Sequence, residues 1–227
     1  MDIVVNEELK AYIDPLTPDE LDALERSIVA EGCRDALVLW NDLLIDGHNR
    51  YAICQKHGLP FNTVQATQFK SMDDVHLWMI DQHLGRRSVS DFQRGVLALR
   101  KREILAQRRE RGAAPSPAST STSTSADQVT SQAETPAVPE PAPLKNRTDI
   151  ARAARLSSNQ VVMIEKIQNQ AVPELVAAVK QGTISLNAAA AVASLPADEQ
   201  KAAALAGKDE LKQAAKRVRE VKRKPTT

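Results

Sequence analysis

Leu43-Leu44-Ile45-Asp46-Gly47-His48-Asn49-Arg50-Tyr51-Ala52-Ile53-Cys54-Gln55-Lys56-His57 reads as a strand, a tight turn and the start of a helix with an arginine in its first turn. Gly47 lets the backbone turn sharply, and Asp46 is placed to cap the helix. The amides of Gly47 to Asn49 would then stay open to an oxyanion, and Arg50 would add a forked positive charge. A plain, well-capped turn has the same pattern, so the segment marks an anion site only in combination with the rest of the chain.

Around this segment, helical and extended signals alternate. Thr17-Pro18-Asp19-Glu20 is a capping box with proline at the first helical position, followed by Leu21, Leu24 and Ile28 on one face and a stop at Gly32. Ala36 to Trp40 and Leu43 to Ile45 predict two short strands joined by Asn41-Asp42, residues that tolerate a two-residue hairpin. The helix that starts after Gly47 should end at Gly58-Leu59-Pro60, and Phe61 to Phe69 offers a further strand. Ser71 caps a helix carrying Val75, Trp78 and Met79, and Ser90-Asp91-Phe92-Gln93 opens a long basic helix to about Arg109. Trp40 and Trp78 are expected in the core, and His57, near a helix end, against the last carbonyls. His76 and His83 lie two turns apart, about 10 Å, too far for one metal ion. No metal site is expected, and no catalytic residue is assigned.

The net charge of +1 conceals a strong polarity: residues 1–85 sum to −9, 86–111 to +6, 112–145 to −2 and 146–227 to +6. Two basic zones flanking a near-neutral stretch suit a polyanionic partner, although solvated helix faces also produce such imbalances. Cys33 and Cys54 have no paired spacing and read as two buried thiols in a reducing compartment. An acidic N-terminus and the lack of a membrane-length apolar run point to a cytoplasmic protein with no membrane partner.

Residues 112–145 read as a linker. The run from Ala113 through Ser125 and the Pro136–Pro143 stretch hold almost no large apolar side chain, so they cannot build a core. Beyond them everything is helical. Arg147-Thr-Asp-Ile-Ala-Arg-Ala-Ala-Arg-Leu-Ser-Ser-Asn-Gln-Val-Val-Met-Ile-Glu-Lys-Ile167 matches a helix-turn-helix, with Ile150, Ala151, Ala154, Leu156, Val161 and Ile164 at its buried positions. Arg155 stands at the turn where glycine is commonest, and Ser157 caps the second helix. An ordinary helical hairpin is the alternative. In the helix-turn-helix reading, Ser157, Ser158, Asn159, Val162, Met163 and Lys166 face a major groove. Asn159 suits an adenine edge, Val162 or Met163 a thymine methyl, and Thr148 and Lys166 phosphates. The last helix, from Asp209 to about Lys224, carries only a sparse apolar seam of Leu211, Ala215 and Val218, a weak dimer interface at best.

Leu16 to Phe61 resembles the N-terminal domain shared by ParB partition proteins and sulfiredoxins, whose Gly-x-x-Arg motif grips nucleotide phosphates; here it is Gly47-His48-Asn49-Arg50. Asp81 to Ser90 resembles the ParB acidic-amide-x-x-Arg box, which adds Gln82 and Arg86 to the phosphate site. The stretch from Pro173 to Pro196 is similar to the helical support of the ParB DNA-binding domain. CTP-using members usually carry Glu-Arg where this chain has His48-Asn49, one arginine fewer. Sulfiredoxins carry their catalytic cysteine where this chain has His48, which excludes that activity.

The resemblance implies three parts. Residues 1–111 form an α+β ParB/sulfiredoxin-like domain ending in the long basic helix, 112–145 a disordered linker, and 146–227 an all-α helix-turn-helix domain. It implies a plasmid- or phage-borne DNA-binding protein acting in partition, replication control or repression. Double-stranded DNA is the expected partner, with a homodimer and a partition ATPase as further candidates and CTP with Mg²⁺ as the candidate cofactor. A nucleotide-dependent phosphotransferase or nuclease on the same fold is the alternative, with Asp46 or Asp81 as base. An adaptor with a dead nucleotide pocket is the third reading.

Overall fold

A computed structural model describes residues 2–12, 14–86, 89–113 and 144–223. The residues that carry the linker reading, 114–143, lie outside these. The chain divides into two compact units, Met1–Val89 and Ser90–Thr227.

In the first unit, Asn6 caps a short helix, α1 (Glu7–Ala11), by accepting from two amides of its first turn. Helix α2 (Pro18–Glu31) begins at the expected Thr17 capping box, in which Thr17 and Glu20 satisfy each other's backbone amides, and stops at Gly32. Strands β1 (Leu37–Trp40) and β2 (Leu43–Asp46) form the expected antiparallel hairpin, with Trp40 opposite Leu43 and Asn41 in the left-handed region at φ 55°. Helix α3 (His48–His57) follows directly. Strand β3 (Thr63–Gln65) then pairs with β1 in parallel, giving the order β2-β1-β3. Helix α4 (Met72–Gly85) starts from a Ser71–Asp74 capping box.

The strand alternation divides the interior into two layers. Leu37, Leu39 and Leu44 pack with Tyr51 and Phe61, while Val38, Trp40 and Ile45 pack with Leu9, Phe69, Val75 and Met79. Trp40 and Trp78 are both half-buried, each edge-on to Phe69. His57 does not serve the last carbonyls as expected; its Nε2 lies 2.5 Å from Glu25 Oε1, and Lys56 reaches the same oxygen at 2.6 Å. A carboxylate from α2 therefore holds the end of α3.

The second unit is all helical: α5 (Asp91–Ala113), α6 (Arg147–Ala154), α7 (Ser158–Gln170), α8 (Pro173–Lys180), α9 (Leu186–Val192), α10 (Ala197–Ala206) and α11 (Lys208–Arg223). Its core corrects the boundary expected at residue 111. Phe92, Ala98 and Leu99 of α5 share one apolar cluster with Ile150, Val161, Ile164 and Leu175. Gly95 allows the close approach, since a Cβ there would lie 2.3 Å from Ile164 Cδ1. Glu165 joins three helices through Arg102 at 3.3 Å and Arg147 at 2.9 Å. Among the described residues, no helix is long and apolar enough to cross a membrane.

Candidate functional site

The junction between β2 and α3 departs from the expected capping. Gly47, not Asp46, is the N-cap, at φ 97°, and no side chain caps the helix. Asp46 pairs with arginines instead. Its Oδ2 accepts from Arg50 Nη2 at 2.9 Å and its Oδ1 from Arg86 Nη2 at 3.4 Å, so one carboxylate spans two guanidiniums. Arg50 Nη1 also donates to the Asp35 carbonyl at 3.2 Å and lies 3.4 Å from the Asp35 carboxylate. The Arg50 side chain is only 17% exposed. It is a clasp between β2 and the loop before β1.

Gly47 is required here twice over. Its φ lies in the left-handed region, and a Cβ would stand 2.6 Å from Leu37 Cδ2 and 3.2 Å from Arg50 Nη2. Gly47→Ala should therefore cost the first unit about 1–2 kcal/mol. A urea unfolding midpoint unchanged by the substitution would contradict this.

These groups line a cleft of about 780 Å³, to which Gly47, His48, Asn49, Arg50 and Arg86 all contribute. The sixth expected residue, Gln82, is exposed on α4 and does not line it. Arg86 is about half-exposed, which leaves it available at the rim. The cleft is also lined by residues that the sequence did not assign to a phosphate site: Leu9 and Lys10 of α1, Asp14 to Leu16, and Met79 and His83 of α4. Only Lys10 carried a usable signal, as an isolated cation in an acidic stretch.

Two imidazoles face this region. Burial pushes the pKa of both His48 and His83 below the ordinary 6.5; Asp46 offsets this at His48, and the Met79 carbonyl, 2.8 Å from Nδ1, offsets it at His83. The Nε2 of His48 is buried without a partner. A depressed imidazole leaves stability intact above the unfolded pKa of about 6.5; below it the unfolded chain takes up protons that the folded chain refuses. The first unit should thus lose stability as pH falls from about 7 through 6 toward the depressed values. Replacing both histidines with Gln should flatten that slope in denaturant titrations.

His76 stacks on Tyr12 with ring centroids 4.6 Å apart. Among the described residues, no three of His, Cys, Asp and Glu are grouped as a metal ion would require.

In the second unit, α6 and α7 bury the residues expected to be inside. Ile150, Ala151, Ala154, Val161 and Ile164 are buried and Leu156 partly so. Arg155 adopts φ 55°, ψ 44°, the left-handed conformation that glycine usually supplies, and Ser157 forms a capping box with Gln160. Thr148, Ser157, Ser158, Asn159 and Val162 are exposed. Two expected contact residues differ: Met163 packs partly against the core, and Lys166 Nζ is hydrogen-bonded to Ser194 Oγ.

No family model and no curated protein matches this chain. Solved structures do. The structure of the pNOB8-like ParB N-domain is similar at TM-score 0.52 and 16% identity, over 98% of this chain and 92% of that one. The C2221 form of the Pnob8-like ParB-N domain is similar at TM-score 0.52 and 15% identity, over 85% of this chain and 76% of that one. A C-terminally truncated chromosome-partitioning protein ParB from Caulobacter crescentus, complexed to the centromeric parS site, overlaps more loosely, at TM-score 0.44 and 12% identity over 96% and 95% of the two chains. The chain has the fold of the ParB N-domain structures.

Proposed function

We propose that this chain is a ParB-like DNA-binding protein, acting in partition, replication control or repression, whose α7 enters the major groove of a duplex. The observation that carries the reading is the α6–α7 pair: its buried residues fall where a helix-turn-helix would need them, and Ser157 at the N-cap with Ser158, Asn159 and Val162 of α7 are exposed. Asn159 reads an adenine edge and Val162, 44% exposed, meets a thymine methyl. Thr148 reaches a phosphate at the start of α6. Lys166 serves a phosphate only if it leaves Ser194, and Met163 contributes support more than contact.

In the full chain, Asn159→Ala should weaken binding to a specific site roughly tenfold and binding to random duplex hardly at all. Binding should also fall steeply with salt, because phosphate contacts release counterions. Equal losses on both duplexes would make Asn159 a backbone contact. No duplex binding even at low salt would sink the proposal.

The cleft is the second part of the reading: a site for a nucleotide phosphate, with CTP and Mg²⁺ as the candidate ligand. The uncapped first-turn amides of α3 and the half-exposed Arg86 fit a phosphate. The charges temper that fit. Lys10, Arg50 and Arg86 face Asp14, Glu20, Asp35 and Asp46, one more negative than positive group, so a bare triphosphate meets no net attraction and magnesium would have to accompany it. Asp46, with both oxygens engaged by arginines, is poorly placed to act as a general base. Binding is therefore favoured over phosphoryl transfer.

A further inference from the structure

The fold brings together two thiols that the sequence places on separate elements. Cys33 follows Gly32 at the end of α2 and is half-buried, and Cys54 lies on α3, 1% exposed. Both belong to one apolar cluster, in which Cys33 packs with Cys54, Leu24, Ile28, Ile53 and Phe61. Cys33 Sγ also donates to the Asp35 carbonyl at 3.5 Å, the same oxygen that accepts from Arg50 Nη1. The 33–35 loop thus meets α3 at two points one helical turn apart, where Cys33 packs in the cluster of Cys54 and where Asp35 accepts from Arg50. Asp35 and Arg50 are both walls of the cleft.

We propose that Cys33 and Cys54 close a reversible intramolecular disulfide, a modification site that ties the Asp35 wall of the cleft to α3. The oxidant is a small-molecule disulfide. Cys33 loses its proton to water and its thiolate attacks one sulfur of that disulfide, breaking the external S–S bond, forming a mixed disulfide and releasing one thiolate. Cys54 then gives up its proton and attacks Cys33 Sγ, forming the internal bond and expelling the second thiolate. Two protein thiols are oxidised, one external disulfide is reduced to two thiols, and the two released protons balance the two thiolates.

Exposure sets the order of the steps. Cys33 is reachable, whereas Cys54 is enclosed, and burial, reinforced by the neighbouring Cys33 thiol, pushes its thiol up from its ordinary pKa. A shielded, weakly acidic thiol reacts poorly with a free oxidant. It becomes an effective nucleophile once the sulfur it must attack is already beside it. Closure also takes the Cys33 proton away from the Asp35 carbonyl, leaving that acceptor to Arg50.

The test treats the full chain with oxidised glutathione at neutral pH and follows thiol titre and intact mass. Both thiols should disappear together, with a mass loss of about 2 Da and no lasting glutathione adduct, and dithiothreitol should restore them. Cys54→Ser should trap glutathione on Cys33, while Cys33→Ser should stay unmodified. In the oxidised chain, amide hydrogen exchange over residues 33–36 should slow several-fold. Two surviving thiols, a lasting adduct on the unsubstituted chain, a bond only between chains, or closure equally fast in urea would overturn the proposal. Unchanged exchange over 33–36 would overturn the tie to the cleft wall.

Discussion

A chain that begins at Leu144, and so lacks α5, should lose the cooperative unfolding of the helical unit, while one that begins at Ser90 keeps it. The difference lies in what α5 buries. Phe92, 3% exposed, and Leu99, also 3%, sit in the same cluster as the buried residues of α6 and α7. Each such side chain contributes about 1.5–3 kcal/mol when buried. Two of them approach the lower part of the roughly 5–15 kcal/mol by which a domain is stable. Removing α5 also uncovers Ile164 where Gly95 now covers it, and frees Glu165 from Arg102 and Gln160 from Asp91, 3.0 Å away. Duplex binding should go with the fold, since α7 takes its position from α5 as well as α6. Urea titration followed by circular dichroism decides it. A sharp transition in the 144–227 chain, at the midpoint of the 90–227 chain, would make α5 an accessory and restore the boundary at residue 111.

That boundary was misread for a physical reason. The apolar residues of α5 are visible in the sequence as one face of an amphipathic helix, but the surface they fit is contributed by residues beyond the Ser/Thr/Pro/Ala-rich segment. Charge and proximity favoured the first unit; packing chose the second. Elements whose ends are fixed by their own neighbours were legible: Thr17 with Glu20, Ser71 with Asp74, Ser157 with Gln160, and the Asn41-Asp42 hairpin. The buried residues of α6 and α7 were legible for the same reason, since they follow from two short helices and one turn.

The cleft was legible only on one side. Gly47 to Arg50 form a local motif, so sequence reasoning could place them together. Asp46 was assigned to a cap because a cap is the local solution, whereas its actual partners include Arg86, which reaches it only through the packing of α4. The wall from α1 left little trace because a five-residue helix has too few positions for a periodic pattern. The pairing of Cys33 with Cys54 is likewise a product of α2 packing on α3, with no signature in their spacing.

Arg50→Ala is expected to lower the stability of the first unit by about 2–3 kcal/mol, between the value of an exposed ion pair and that of a fully buried one. Its side chain is 17% exposed and that of Asp46 24%, so water screens the pair only in part. The substitution removes two ion pairs and the donor to the Asp35 carbonyl, leaving Asp46 with Arg86 alone at 3.4 Å. Arg50→Lys should recover part of the loss, since an ammonium keeps the charge but cannot bridge Asp46 and Asp35 as the planar fork does. Thermal unfolding with and without CTP and magnesium then separates clasp from ligand site. A ligand held by the cleft raises the midpoint of the unsubstituted chain by mass action, and Arg50→Ala should abolish that rise as well as lowering the starting midpoint. A lowered midpoint with no nucleotide effect on either chain would leave the clasp standing and sink the nucleotide site. An unchanged midpoint in the variant would show instead that Asp46 and Asp35 hold the turn without Arg50.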